Sequence, residues 1–95
     1  MKTEVTLDDQ PLAFLQRQPP AAKRKLRAAL HTIERGEAFP EPLEDELEGF
    51  YKVKVADYRM LLQTVSGGRG PHYRVVFAEK RKAVYVLFSQ ILGLE

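Results

Sequence analysis

The order of patterns along the chain predicts an α+β fold, a helical hairpin packed on a small antiparallel sheet with a C-terminal helix. Three observations carry this. Apolar residues recur at helical spacing up to Gly36, they alternate with period two from Phe50 to Glu79, and a stretch rich in proline and acids separates the two regions. At 95 residues the chain has apolar material for one core, so residues 1–95 are expected to form a single domain.

Residues 3–7, TEVTL, alternate Val5 and Leu7 with polar neighbours and predict an initial strand. Asp8 or Asp9 can cap a first helix with Pro11 in its first turn and Leu12 and Leu15 on one side, ending before Pro19-Pro20. Pro20 suits the first turn of a second helix, where Leu26, Leu30 and Ile33 make one buried stripe and Gly36 stands at the C-terminal cap. Residues 37–49 read as a connection with room for one short helical turn. From Phe50, Tyr51, Val53 and Val55 face one way and Lys52 and Lys54 the other. A tight connection at Ala56-Asp57 leads to a second strand of the meander, Tyr58 to Val65. The loop SGGRGP precedes a third, Tyr73 to Glu79, with Met60, Leu62 and Phe77 as core candidates. The run Val84 to Phe88 fits a strand, but Val84, Leu87, Phe88 and Ile91 have helical spacing, and a helix is expected. Phe88, Ile91 and Leu92 on it fit either the core or a partner surface.

Composition narrows the function. No segment approaches the length of a membrane span, and MKTEVTLDDQ lacks the apolar core of a secretory signal. The chain has no cysteine for disulfides, thiolate metal sites or a cysteine nucleophile. A cytoplasmic protein is expected. The net charge of +2 hides an asymmetry. Residues 1–48 hold seven Lys/Arg against ten Asp/Glu, a net −3, whereas residues 49–95 hold eight against three, a net +5, together with all four tyrosines. Cations among aromatic rings are what phosphate pairing and base stacking require. The basic run at residues 23–27 is read as the solvated face of a helix. His31 and His72 are read as structural or solvent-facing, and the acids between Glu41 and Glu48 as a solvated connection.

The chemistry-bearing residues gather in the basic half. Lys52 and Lys54 leave one face of a strand about 7 Å apart, given roughly 3.3 Å per residue. Each then disfavours protonation of the other, which suits one of them to act as a base. Antiparallel pairing brings Arg59 back toward that face, where a guanidinium can clamp phosphate bidentately. In EKRKAVY, Tyr85 stands four residues beyond Arg81, one turn if a helix begins there. Lys80, Lys82, Arg69 and Arg74 are expected to add RNA contacts.

FYKVKVADYR, followed some twenty residues on by EKRKAVY, resembles the pattern of RelE-type toxin ribonucleases of the RelE/ParE superfamily. The order of elements is similar across nearly the whole chain. By position, Lys52 and Lys54 match the paired strand lysines, Arg59 the arginine of the following YR, and Arg81 and Tyr85 the arginine and tyrosine of the later motif. Ala56 stands where glycine is often found, Leu62 where an aromatic residue is frequent, and Lys80 where many relatives have histidine.

The resemblance implies the toxin of a bacterial toxin–antitoxin system, acting on mRNA at the ribosome with a cognate antitoxin as partner. Cleavage through the RNA 2′-hydroxyl needs a base, an acid and stabilisation of charge, and no cofactor or metal is called for. Lys54 is expected to take the 2′-proton, Lys52 and Arg59 to stabilise the phosphorane, Arg81 to support the departing 5′-oxygen and Tyr85 to stack on a base. Arginine is a poor proton donor, so Tyr85 or the other lysine is left as the acid. Two rivals stand beside this reading, a ParE-like gyrase inhibitor without nuclease activity and a non-catalytic RNA-binding regulatory domain.

Overall fold

The computed structural model describes residues 3–66 and 70–94, in which a five-stranded mixed sheet carries two helices on one face and a third on the other. The elements are β1 (Glu4–Leu7), α1 (Asp9–Gln16), α2 (Pro20–Glu34), β2 (Glu41–Pro42), β3 (Phe50–Val55), β4 (Tyr58–Thr64), β5 (His72–Lys80) and α3 (Val84–Leu92). A single 3₁₀ turn, Asp45–Leu47, lies within the acidic connection. The strand order is β1-β5-β4-β3-β2. The expected antiparallel meander is β3-β4-β5, and β1 joins its far edge in parallel, with Val5 opposite Tyr73.

Period-two alternation decides which helix covers which face. Val55, Met60, Leu62, Val75 and Ala78 are buried against Phe14 and Leu15 of α1 and Leu26 and Leu30 of α2. Leu61 and Phe77 turn to the other face and are buried against Val84 and Phe88 of α3. The three expected core residues of the meander are all buried, Met60 and Leu62 in one layer and Phe77 in the other. A register shift between Leu61 and Leu62 explains this. They pair with Phe77 and Val75, so Val76 is the extra residue of a bulge. Leu12, expected to pack beside Leu15, is exposed, and α1 instead buries Pro11, Phe14 and Leu15.

The caps follow local chemistry. Pro20 opens α2, and its end is closed by Glu37 N–H donating to the Thr32 carbonyl at 3.0 Å and Gly36 N–H to that of Ile33 at 2.9 Å, with Gly36 at φ +74°. Where β1 stops, the Gln10 side chain takes its place. It donates to the Ala78 carbonyl and accepts from the Ala78 N–H, both at 2.8 Å, so the edge of β5 keeps its hydrogen bonds under α1. Among the described residues, no helix is long and apolar enough to cross a membrane.

Candidate nucleic-acid site

The site grows from the β3–β4 hairpin. Lys54 lies directly opposite Arg59, and Arg59 opposite Glu79, so one row of charge crosses three strands on the face that carries α3. The next row is Lys52, Leu61 and Phe77. Directly opposite residues have Cβ atoms about 5 Å apart, so Lys52, Lys54 and Arg59 form one cluster with an apolar floor on one side. Lys52 and Arg59 are half-buried and Lys54 is exposed. Tyr85, in the first turn of α3, packs against the Leu61, Phe77, Val84 and Phe88 cluster and borders the same face.

Both arginines are anchored on the hairpin turn. The Arg59 guanidinium donates to the carbonyls of Tyr58 at 2.7 Å and Ala56 at 3.1 Å. Arg81 donates from its backbone N–H to the Asp57 carbonyl at 2.9 Å and pairs through Nε with Asp57 Oδ1 at 3.0 Å. Arg81 therefore precedes α3 in a turn at residues 81–83, and the expected helical Arg81–Tyr85 spacing does not hold. What ties Arg81 to the site is Asp57. Each anchored guanidinium keeps N–H groups outside these contacts, since arginine carries five donors.

The remaining cations are scattered. Lys80 lies opposite Tyr58, whose ring packs on Phe14 of the helical layer, so alternation turns Lys80 to the other face of β5 from Glu79. Lys82 is exposed in the turn before α3. Arg74 lies roughly 15 Å along β5 from Glu79, by strand rise, and pairs with Asp8 at 3.2 Å. Arg69 lies outside the described residues. His31 pairs with Glu34 at 2.9 Å and His72 with Thr6 at 3.1 Å, both away from the lysine pair.

Two residues missed in the sequence, Asp57 and Glu79, are acids placed within the basic cluster. The signal was present, because residues 49–95 contain only three acids and two of them are these. Acids inside a cationic motif are candidates for orienting its arginines.

The arrangement of helices and strands is found in solved toxins. No family model matches the chain, and no curated protein does. A mutant of the E. coli toxin RelE in the free state superposes with a TM-score of 0.71 at 15% identity over 100% of both chains. The RelBE2 toxin–antitoxin complex from Mycobacterium tuberculosis contains a chain matched at 0.62 and 20% identity, over 85% of this chain and 100% of that one. A YoeB/ParE toxin from Agrobacterium tumefaciens gives 0.62 and 19%, over 82% and 98%. This chain therefore has the RelE-like α+β fold, the fold that its motif resemblance implied.

Proposed function

We propose that the protein is the toxin of a toxin–antitoxin pair and a metal-independent, ribosome-dependent mRNA endonuclease. The observation that carries this is the meeting of Lys52, Lys54 and Arg59 on one sheet face beside Tyr85, on a fold shared with RelE and YoeB structures. In the proposed reaction the 2′-oxygen attacks the adjacent phosphorus while Lys54 accepts its proton. The bond from phosphorus to the 5′-oxygen breaks, and that oxygen takes a proton from Tyr85 or Lys52. The products are a 2′,3′-cyclic phosphate and a 5′-hydroxyl. Arg59, held rigid by the turn carbonyls, stabilises the phosphorane at no reorganisation cost, and Arg81, oriented by Asp57, supports the leaving oxygen. Tyr85 also offers a ring for stacking.

An antitoxin is the proposed partner, by analogy with the RelBE2 complex. Val86, Leu87, Ile91 and Leu92 leave α3 with an exposed apolar surface that such a partner would cover. The test of the activity is to incubate the chain with programmed ribosomes and map new mRNA ends. Arg81→Ala and Tyr85→Phe are each expected to slow cleavage by roughly 10²-fold, in the range of losing one charge-stabilising or proton-transferring group. Cleavage indifferent to both changes would remove them from the site. Absence of new ends together with trapped gyrase–DNA complexes would favour the ParE-like rival.

A further inference from the structure

Glu79 ends the row of charge that crosses the hairpin. The row runs Lys54, Arg59, Glu79 over three strands, so the Glu79 side chain leaves the sheet on the face that carries α3. An acid beside an arginine is commonly its ion-pair partner. That holds for Asp57 and Arg81 but not here. The Arg59 guanidinium is turned to the carbonyls of Ala56 and Tyr58, and among the described residues Glu79 forms no ion pair. Its Oε1 accepts instead from the backbone N–H of Lys80 at 3.0 Å. That bond holds a half-buried carboxylate in place and leaves acceptor sites open, since a carboxylate has about four of them. Phe77 precedes Glu79 by two residues, roughly 7 Å along the strand, and belongs to the cluster on which Tyr85 packs. The free acceptor thus stands next to the floor beneath that ring.

We propose that Glu79 reads the base of the nucleotide that stacks on Tyr85, and that it selects guanine. The inference rests on the RNA-cleaving reading of the site. A phosphate is drawn to Lys54 and Arg59 and repelled by a carboxylate, so the Glu79 end of the row takes a neutral group that donates hydrogen bonds. Base edges are such groups, and unpaired bases in RNA are read on their Watson–Crick edges. Guanine presents two adjacent donors there, the ring N1–H and the 2-amino group, which match the two oxygens of one carboxylate. Cytosine and adenine present one amino donor beside a ring acceptor, and uracil one ring N–H between two carbonyls. Each of these sets a lone pair against the carboxylate where guanine sets a proton.

Ribosomes programmed with mRNAs that carry each of the four bases in turn at the two nucleotides flanking the scissile bond measure the preference. The parent chain is expected to favour guanine at one of these positions by roughly 5- to 150-fold, the discrimination of one bidentate base contact. Inosine keeps the N1–H and lacks the 2-amino group. Synthetic mRNA with inosine at that position is expected to be cut roughly 10-fold more slowly than the guanine form. Glu79→Gln keeps the size of the side chain and an acceptor for Lys80 but sets an amide donor against guanine, so both ratios should fall toward one. Ratios between substrates separate reading of the base from a general loss of structure, which lowers all rates alike. A guanine preference and an inosine penalty that vanish in Glu79→Gln support the proposal. Ratios that persist unchanged in Glu79→Gln overturn Glu79 as the reader and leave the nuclease standing. The inosine comparison on the parent chain needs no folded variant, and equal cutting of guanine and inosine there also overturns the proposal. A folded Glu79→Gln chain that cuts nothing places Glu79 in the reaction itself and overturns it as a reader of bases, whereas a parent chain that cuts no mRNA overturns the nuclease and this inference with it.

Discussion

Ala56 is the residue on which the site's geometry turns. It is the first of two residues linking Val55 to Tyr58, and its φ of +52° is the left-handed backbone that a side chain resists by about 1–2 kcal/mol. A two-residue hairpin with positive φ at its first central position favours glycine there. Glycine loses more chain entropy on folding, which offsets part of the gain. Ala56→Gly is therefore expected to stabilise the protein by roughly 0.5–1 kcal/mol, read as a higher urea midpoint at unchanged slope. A lower midpoint would contradict the turn geometry. The RelE-type pattern often has glycine at this place, so the departure was visible in the sequence. Its conformational reason was not, because ADY alone does not state which residue takes the positive φ. The anchoring of Arg59 on the Ala56 carbonyl and of Arg81 on Asp57 was hidden for the same cause. Both depend on how two chain segments meet at one turn.

At the scale of elements, α3 is what closes the lysine face on one side, and Phe88 is what seats it. The Phe88 ring meets Phe50 edge-on at a centroid distance of 5.0 Å and lies tilted on Phe77 at 5.5 Å. It is almost fully buried. Truncation to alanine removes that burial and leaves a cavity between helix and sheet, a change that typically costs about 3–5 kcal/mol. Phe88→Ala is expected to fall in this range by chemical denaturation. Hydrogen exchange should show α3 losing protection before β4 and β5, with Tyr85 released from the apolar cluster it borders. Uniform loss across all elements would mean that α3 is not a separable lid on this face. The helix itself was legible from its spacing, as were α2 and the alternation of β3, because each has one dominant period. The parallel placement of β1 and the two-residue β2 were not. Four and two residues carry too little pattern to fix a partner, and their places are set by β5 and β3. The bulge that sends Phe77 to the α3 face is likewise absent from a strict two-residue count.

At the scale of the whole molecule, cations from both halves of the sequence stand on opposite faces of the sheet. The sheet face under α3 carries Lys52, Lys54 and Arg59, while the cations of α2, including the exposed Lys25, lie with the helical layer on the other face. Binding to single-stranded RNA through phosphates releases counterions, and the logarithm of affinity falls with the logarithm of salt by about 0.7 per phosphate contact. Two substitutions that remove the same charge should therefore behave differently. Arg59→Ala is expected to reduce the steepness of that dependence by about 0.7 and to weaken binding across all RNA sequences. Lys25→Ala, which changes the net charge of the chain equally, should leave the slope unchanged because it removes no contact. Measuring anisotropy of one labelled RNA oligonucleotide over a range of potassium chloride concentrations distinguishes a local phosphate site from a general attraction of a basic protein for RNA. Equal loss of slope in both variants would assign the affinity to overall charge and take Arg59 out of the RNA contact.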